Sequence, residues 1–258
     1  MEFKTIIVEK GRIAKIILNR PEKGNSMNRQ VMEELKTAFY MLDEDEECRV
    51  IILSGAGKGF CAGGDLSDMS GDASLLEQRA FNRVFPQVLT AIGKTGKIII
   101  SKVHGYSLAG GFGLAVACDM TVISEKAKLG TPEILRALYP FMIMAPISRC
   151  MPQKKMIEMC FTGENVTPAQ ALEYGIANLV VPEDELDSAV DALAEKIARN
   201  SPVAIRLGKE AFYMQRDMEY FKSLGYLSEC IAIITQTQDA HEGVQAFFEK
   251  RQPVWTGK

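Results

Sequence analysis

Apolar, β-branched residues crowd two short segments near the start of the chain, Phe3 to Val8 and Arg12 to Leu18. The polar Glu9-Lys10-Gly11 separates them at hairpin length, so they read as an antiparallel pair that Arg20-Pro21 closes. From Asn28 the period changes: Met32, Leu35, Phe39 and Leu42 recur at helical spacing with acidic residues between them, predicting an amphipathic helix to about Asp45. Val50-Ile51-Ile52-Leu53 is short and apolar at every position, the pattern of a strand buried on both faces. Ile98 to Ile100 and Met120 to Ile123 repeat that type, each after a helical pattern. Strand, helix, strand in this rhythm predicts an α/β fold with parallel crossovers. Beyond Leu179-Val180-Val181-Pro182 the segments near 186–200, 202–215, 219–237 and 239–250 all read as helices, with Pro182 and Ser201-Pro202 as start signals. A core over 1–195 and a helical region over 196–258 are expected.

Composition narrows the field. A chain of 258 residues with 47% hydrophobic content can bury enough surface to offset its conformational entropy, which excludes disorder. Thirty Lys and Arg against 33 Asp and Glu leave no basic field for a phosphate backbone, so nucleic acid is not expected as a partner. Met1-Glu2-Phe3-Lys4 lacks a signal-peptide pattern, and the longest uncharged stretch, between Lys102 and Asp119, is shorter than the ~20 residues that cross a bilayer. A cytoplasmic protein without a membrane span is expected. The six cysteines are scattered without a CxxC and only His104 and His241 could complement them, so reduced thiols and no metal are expected.

Two segments present backbone rather than side chains. Gly55-Ala56-Gly57-Lys58-Gly59-Phe60-Cys61-Ala62-Gly63-Gly64-Asp65 follows the buried strand at 50–53, and its glycines leave peptide N–H groups uncovered. It lacks the spacing of a phosphate loop, and a forced dinucleotide fingerprint over 57–62 lacks the helix and ribose-binding acid that would support it. His104-Gly105-Tyr106-Ser107-Leu108-Ala109-Gly110-Gly111-Phe112-Gly113 follows the next strand and leads into an apolar helix, whose N-terminus suits an anion or a developing oxyanion. A third segment, Gly130-Thr131-Pro132-Glu133-Ile134-Leu135, sets one carboxylate at a helix start; taken alone, it reads first as a surface acid complementing the helix dipole.

In order, Arg20-Pro21-Glu22-Lys23-x-Asn25, Phe60-Cys61-Ala62-Gly63-Gly64-Asp65-Leu66, Gly105-Tyr106-x-x-x-Gly110-Gly111, Cys118-Asp119 and Pro132-Glu133-Ile134 resemble the crotonase (enoyl-CoA hydratase/isomerase) superfamily, as does the tail from Glu242 to Arg251. The resemblance implies a spiral of ββα units with a C-terminal helical region used in trimer formation, and a homotrimer or a hexamer made of two trimers. It implies an acyl-CoA thioester substrate, with coenzyme A arriving as part of the substrate and no other cofactor. The N–H groups of Ala62 and Gly110 would form an oxyanion hole, and Glu133 would act as general acid and base. Lys23, Gly64, Asp65 and Leu66 would line the CoA path, and Phe247 and Lys250 the CoA of an adjacent subunit; apart from the resemblance, Tyr139 is a candidate for the acyl site.

One departure bears on the reaction. Hydratases of the family hold water between two glutamates, and the position matching the first is Gly113 here. Glycine accepts no proton, which favours isomerase or atypical chemistry over efficient hydration. Asp68, Asp72, Glu77, His104 and Tyr139 are possible substitutes. Met69, Leu75, Phe85, Phe141 and Met142 are further candidates for an acyl pocket. The alternatives are another reaction of the family, such as thioester hydrolysis or decarboxylation, a non-catalytic acyl-CoA-binding or scaffolding subunit, and, last, a nucleotide-dependent oxidoreductase.

Overall fold

The computed structural model describes residues 2–69 and 74–258. Its strands are β1 (Ile6–Glu9), β2 (Ile13–Leu18), β3 (Val50–Gly55), β4 (Ile98–Val103), β5 (Tyr106–Leu108), β6 (Met120–Ser124), β7 (Lys128–Gly130) and β8 (Leu179–Val181). The helices are α1 (Arg29–Glu44), α2 (Leu75–Asn82), α3 (Val84–Lys94), α4 (Gly110–Ala117), α5 (Met144–Ile147), α6 (Gln153–Thr162), α7 (Pro168–Glu173), α8 (Leu186–Ala198), α9 (Pro202–Gln215), α10 (Tyr220–Ile234) and α11 (Gln238–Glu249).

Strands β1 and β2 pair antiparallel, and β2, β3, β4, β6 and β8 then add in parallel to complete a six-stranded sheet. The short strands β5 and β7 form a second, parallel pair. That pair is extended by bridges from Cys61 to Ser107 and from Leu129 to Val166. Each turn therefore runs a long strand in the main sheet, a short strand in the second layer, then a helical segment. This is the expected spiral of ββα units, and the glycine segments are the short second strokes that turn the chain toward its helix.

The strands that read as apolar all round are buried on both faces because pleating sends successive side chains to opposite layers. Ile51, Leu53 and Ile99 enter the larger core with α1, α3 and α4, whereas Val50, Ile52, Ile100 and Val122 pack against Leu186, Val190, Ala194 and Ala198 of α8. Helix α8 thus belongs to the core and runs to Ala198, so the break before the last helices falls at 199–201; the expected boundary at 195 cuts through α8. The C-terminal helices are tied back by a buried cation: Lys209 Nζ on α9 donates to Asp119 Oδ2 at 2.6 Å, to Ile92 O at 2.9 Å and to Lys97 O at 2.8 Å. Among the described residues, no helix is long and apolar enough to cross a membrane.

Candidate active site

The first glycine segment is held by its neighbours in sequence order. The 20–27 loop folds against it through Asn25, whose Nδ2 donates to Ala56 O at 2.8 Å and Gly59 O at 2.9 Å while its Oδ1 accepts from the Arg20 amide at 2.9 Å. Met27 N–H donates to Gly63 O at 2.8 Å, and Asp65 N–H to Met27 O at 3.1 Å. The Arg20 guanidinium joins Ser26 O at 2.7 Å to Asp65 at 3.0 Å, closing the clamp. Hydrogen bonds from Ser67 and Arg20 hold the Asp65 carboxyl below the ordinary range, so it stays a structural anion. Cys61 is buried beneath the loop, and burial pushes its thiol up to about 12, which removes it as a nucleophile near neutral pH.

The second segment meets the first at Gly63, which has φ +111° and whose added Cβ would lie 2.7 Å from Ala109 Cβ. Glycine is required there on both counts. Ala109 itself holds φ 51° and ψ −131° at the cap of α4, a strained conformation for an L-residue. Its N–H donates to Gly130 O at 2.9 Å, while Gly110, the next residue, lines the cavity. A Cβ on Gly110 would lie 3.5 Å from Gly64 N.

These contacts correct one expectation. The Ala62 N–H donates to Gly24 O at 2.9 Å, so it is engaged within the clamp and is no free oxyanion donor. Among the described residues, the adjacent amides without an acceptor are those of Gly64 and Gly110. Both residues line a cavity of about 570 Å³. A motif places a glycine-rich loop near the substrate, but only the register of the Gly24 carbonyl against the loop decides which amide is left over.

Glu133 reaches the same cavity from a 3₁₀ turn, Pro132–Arg136, that Pro132 starts and Ala137 ends with φ 56°. Its Oε2 is buried without a hydrogen-bond partner, and burial raises the carboxyl above its ordinary range. A carboxylate held this way is a stronger base than a solvated one. Of the two carboxylates that line the cavity among the described residues, Asp65 is engaged by Arg20 and Ser67, whereas Glu133 Oε2 has no such partner.

Lys23, Ala62, Gly64, Asp65, Leu66, Gly110, Glu133 and Tyr139 all line this one cavity. Phe247 and Lys250 do not; they stand exposed at the end of α11, and they have no part in the cavity of their own chain. Phe85, Phe141 and Met142 are part of the apolar wall, whereas Leu75 is 67% exposed and outside it. Glu77 caps α2 through Ser74, and His104 Nε2 meets Gly57 O at 2.9 Å away from the cavity, so neither replaces a second glutamate. Asp72 lies outside the described residues, as do the side chains of Asp68 and Met69. Met27, Met32, Phe81 and Ile143 also line the cavity and were not anticipated. Met32 sits on the apolar stripe of α1 and is indistinguishable in sequence from the core residues beside it. Among the described residues, no group of three or more His, Cys, Asp or Glu is gathered to hold a metal ion.

Two uncommitted peptide N–H groups and one desolvated carboxylate in an apolar cavity are an arrangement able to stabilise an enolate beside a carbonyl. The comparisons with known proteins agree with that class. The enoyl-CoA hydratase/isomerase family model matches residues 8–258, and the chain belongs to this family of enzymes. The chain is 32% identical over 255 residues to the short-chain-enoyl-CoA hydratase of Clostridium acetobutylicum, covering 98% of this chain and 97% of the relative. It is 34% identical over 258 residues to the probable enoyl-CoA hydratase echA8 of Mycobacterium tuberculosis, covering 99% of each. Among solved structures, an enoyl-CoA hydratase of Mycobacterium smegmatis superposes with TM-score 0.95 at 30% identity, covering 98% of this chain and 99% of the other. Human enoyl Coenzyme A hydratase domain-containing protein 3 gives 0.95 at 28% identity, covering 98% and 100%.

Proposed function

We propose that this enzyme moves a double bond along an acyl-CoA thioester, with Gly64 and Gly110 stabilising the enolate oxygen and Glu133 carrying the proton. Glu133 removes a proton from the carbon beside the thioester, negative charge collects on the carbonyl oxygen between the two amides, and the same carboxyl returns the proton two carbons away. The sequence consumes no water and changes no oxidation state. The observation that supports it is the solitary state of Glu133: its Oε2 is unpartnered, and the other cavity carboxylate is locked to Arg20. Hydration in this family uses two carboxylates, and Gly113 offers none.

Lys23, Leu66 and the exposed Ala62 and Gly64 would hold the CoA portion, and the apolar wall with Tyr139 the acyl chain. Coenzyme A enters with the substrate and no further cofactor is needed. The exposed apolar residues of the last helices, among them Phe221 at 75% and Phe247 at 78%, support a trimer in which Phe247 and Lys250 approach a neighbour's CoA. Six free cysteines suit a cytoplasmic setting.

The test is a panel of 2-enoyl- and 3-enoyl-CoA esters followed by mass and by deuterium exchange. A double-bond shift leaves mass unchanged and exchanges carbon-bound hydrogen, whereas hydration adds one water. Glu133→Gln is expected to lose at least about 10²-fold in turnover with acyl-CoA binding largely kept. Unchanged turnover in that variant would make the chain a binder or show that another group is the base.

A further inference from the structure

Gly113 faces the segment that precedes α5, and there is no room for a side chain on it. A Cβ added at Gly113 would lie 2.0 Å from Ile143 Cγ2 and 2.3 Å from Ile143 Cβ. Both separations are far inside van der Waals contact, so the space where any residue at 113 would begin is occupied by Ile143. Ile143 is 3% exposed, packs in the main core and borders the same cavity as Glu133. Its carbonyl accepts from Ile147 N–H at 3.2 Å, and Gly113 N–H donates to Ala109 O at 3.2 Å, which fixes both backbones. Branching at Cβ leaves Ile143 few alternative rotamers with which to yield. The missing carboxylate at 113 is therefore a filled volume, and the filling is hydrocarbon.

We infer that Ile143 is a specificity-determining residue that keeps water out of the α4 side of the cavity and so decides how the enolate collapses. This rests on the double-bond shift proposed above. Hydration requires a water whose oxygen bonds to the β-carbon while a proton goes to the α-carbon. A water placed against Ile143 has no hydrogen-bond partner from that side chain, and an unsatisfied buried water is disfavoured. Proton return from Glu133 needs no such water and proceeds.

Four variants test it in heavy water and in oxygen-18 water with 2-enoyl- and 3-enoyl-CoA: Ile143→Val, Ile143→Ala, Gly113→Glu, and Gly113→Glu combined with Ile143→Gly. The wild type and Ile143→Val are expected to shift the double bond without incorporating oxygen-18. The combined variant, which supplies a second carboxylate and the space for it, is expected to raise the ratio of hydrate to isomer by at least about 100-fold, the scale of one general base. Ile143→Ala, which opens the space alone, is expected to raise it by about tenfold. That single variant carries the test if the combined one does not fold. The inference is overturned if the folded variants still shift the double bond with an unchanged ratio, or if Gly113→Glu alone hydrates as well as the combined variant. Hydration by the wild type with Ile143 in place also overturns it. A wild type that neither exchanges nor shifts overturns the proposed function first, and this inference with it.

Discussion

Glu133 has an unpartnered, buried Oε2 and a carboxyl whose proton affinity is raised by burial. Its protonated form is favoured in the folded state relative to the unfolded one. The stability it contributes is therefore present at low pH and is lost as pH rises through its raised folded pKa. Glu133→Gln is expected to melt higher than the wild type near neutral pH, with the gain shrinking in mild acid, as measured by thermal unfolding at several pH values. A gain that is constant across pH would mean the carboxyl is not the source. Activity runs the other way: with Glu133 as the proposed base, which works only when ionised, kcat/KM should fall on the acid side with a midpoint above the ordinary carboxylate range. Ala109 belongs at this scale as well. Its φ of 51° is a strained alanine that lines the cavity directly before Gly110.

At the scale of elements, Asp119 and Lys209 hold the last helices to the sheet. Asp119 follows α4 and accepts from Ile99 N–H at 2.8 Å, Tyr213 OH at 3.0 Å and Lys209 Nζ at 2.6 Å. Burial pulls the Lys209 ammonium below its ordinary pKa, with the Asp119 carboxylate opposing that shift. Removing one member of such a pair leaves a buried charge without compensation. Lys209→Met is expected to cost about 3–5 kcal/mol in urea unfolding, well beyond the transfer of its exposed-helix neighbours. A cost below about 1 kcal/mol would show that water reaches Asp119 and that the tie is weak. The Cys118-Asp119 motif thus has a structural reading: it fastens α9 across the sheet rather than touching the cavity.

The whole molecule presents an apolar surface on the helices after Ser201, including Phe212 at 55%, Phe221 at 75%, Ile231 at 64% and Phe248 at 77%. Such a surface is expected to be covered by further copies of the chain. Light scattering after gel filtration should give three or six times the chain mass, and Phe221→Asp should lower it. A monodisperse monomer at assay concentration would end the trimer proposal.

How much of this was legible beforehand follows from where the physics is local. Strand and helix periods, the hairpin at 9–11, the Asn28 and Ser201 caps and the order of the segments are written in side-chain spacing, and the elements follow them within a few residues. The glycine segments point to presented backbone by themselves, whereas Glu133 taken alone also reads as a surface first-turn acid and stands out only through the resemblance carried by the ordered motifs. The boundary at 195 cuts α8 because the last turn of that helix, with Ala198, belongs to the core cluster that holds Ile52 and Ile100, residues distant in sequence. The resemblance points to Ala62, but no local pattern says which amide of a loop is used internally; the Gly24 carbonyl decides it from 38 positions away by residue number. Ile143 reads in sequence as one more apolar residue, yet it fills the space over Gly113, 30 positions distant by the same numbering. The sequence determined the elements, their order and the reactive groups, since each depends on neighbours along the chain. Tertiary structure alone decided which groups stay unpaired and which volume is closed to water, since both depend on what the folded chain brings from elsewhere.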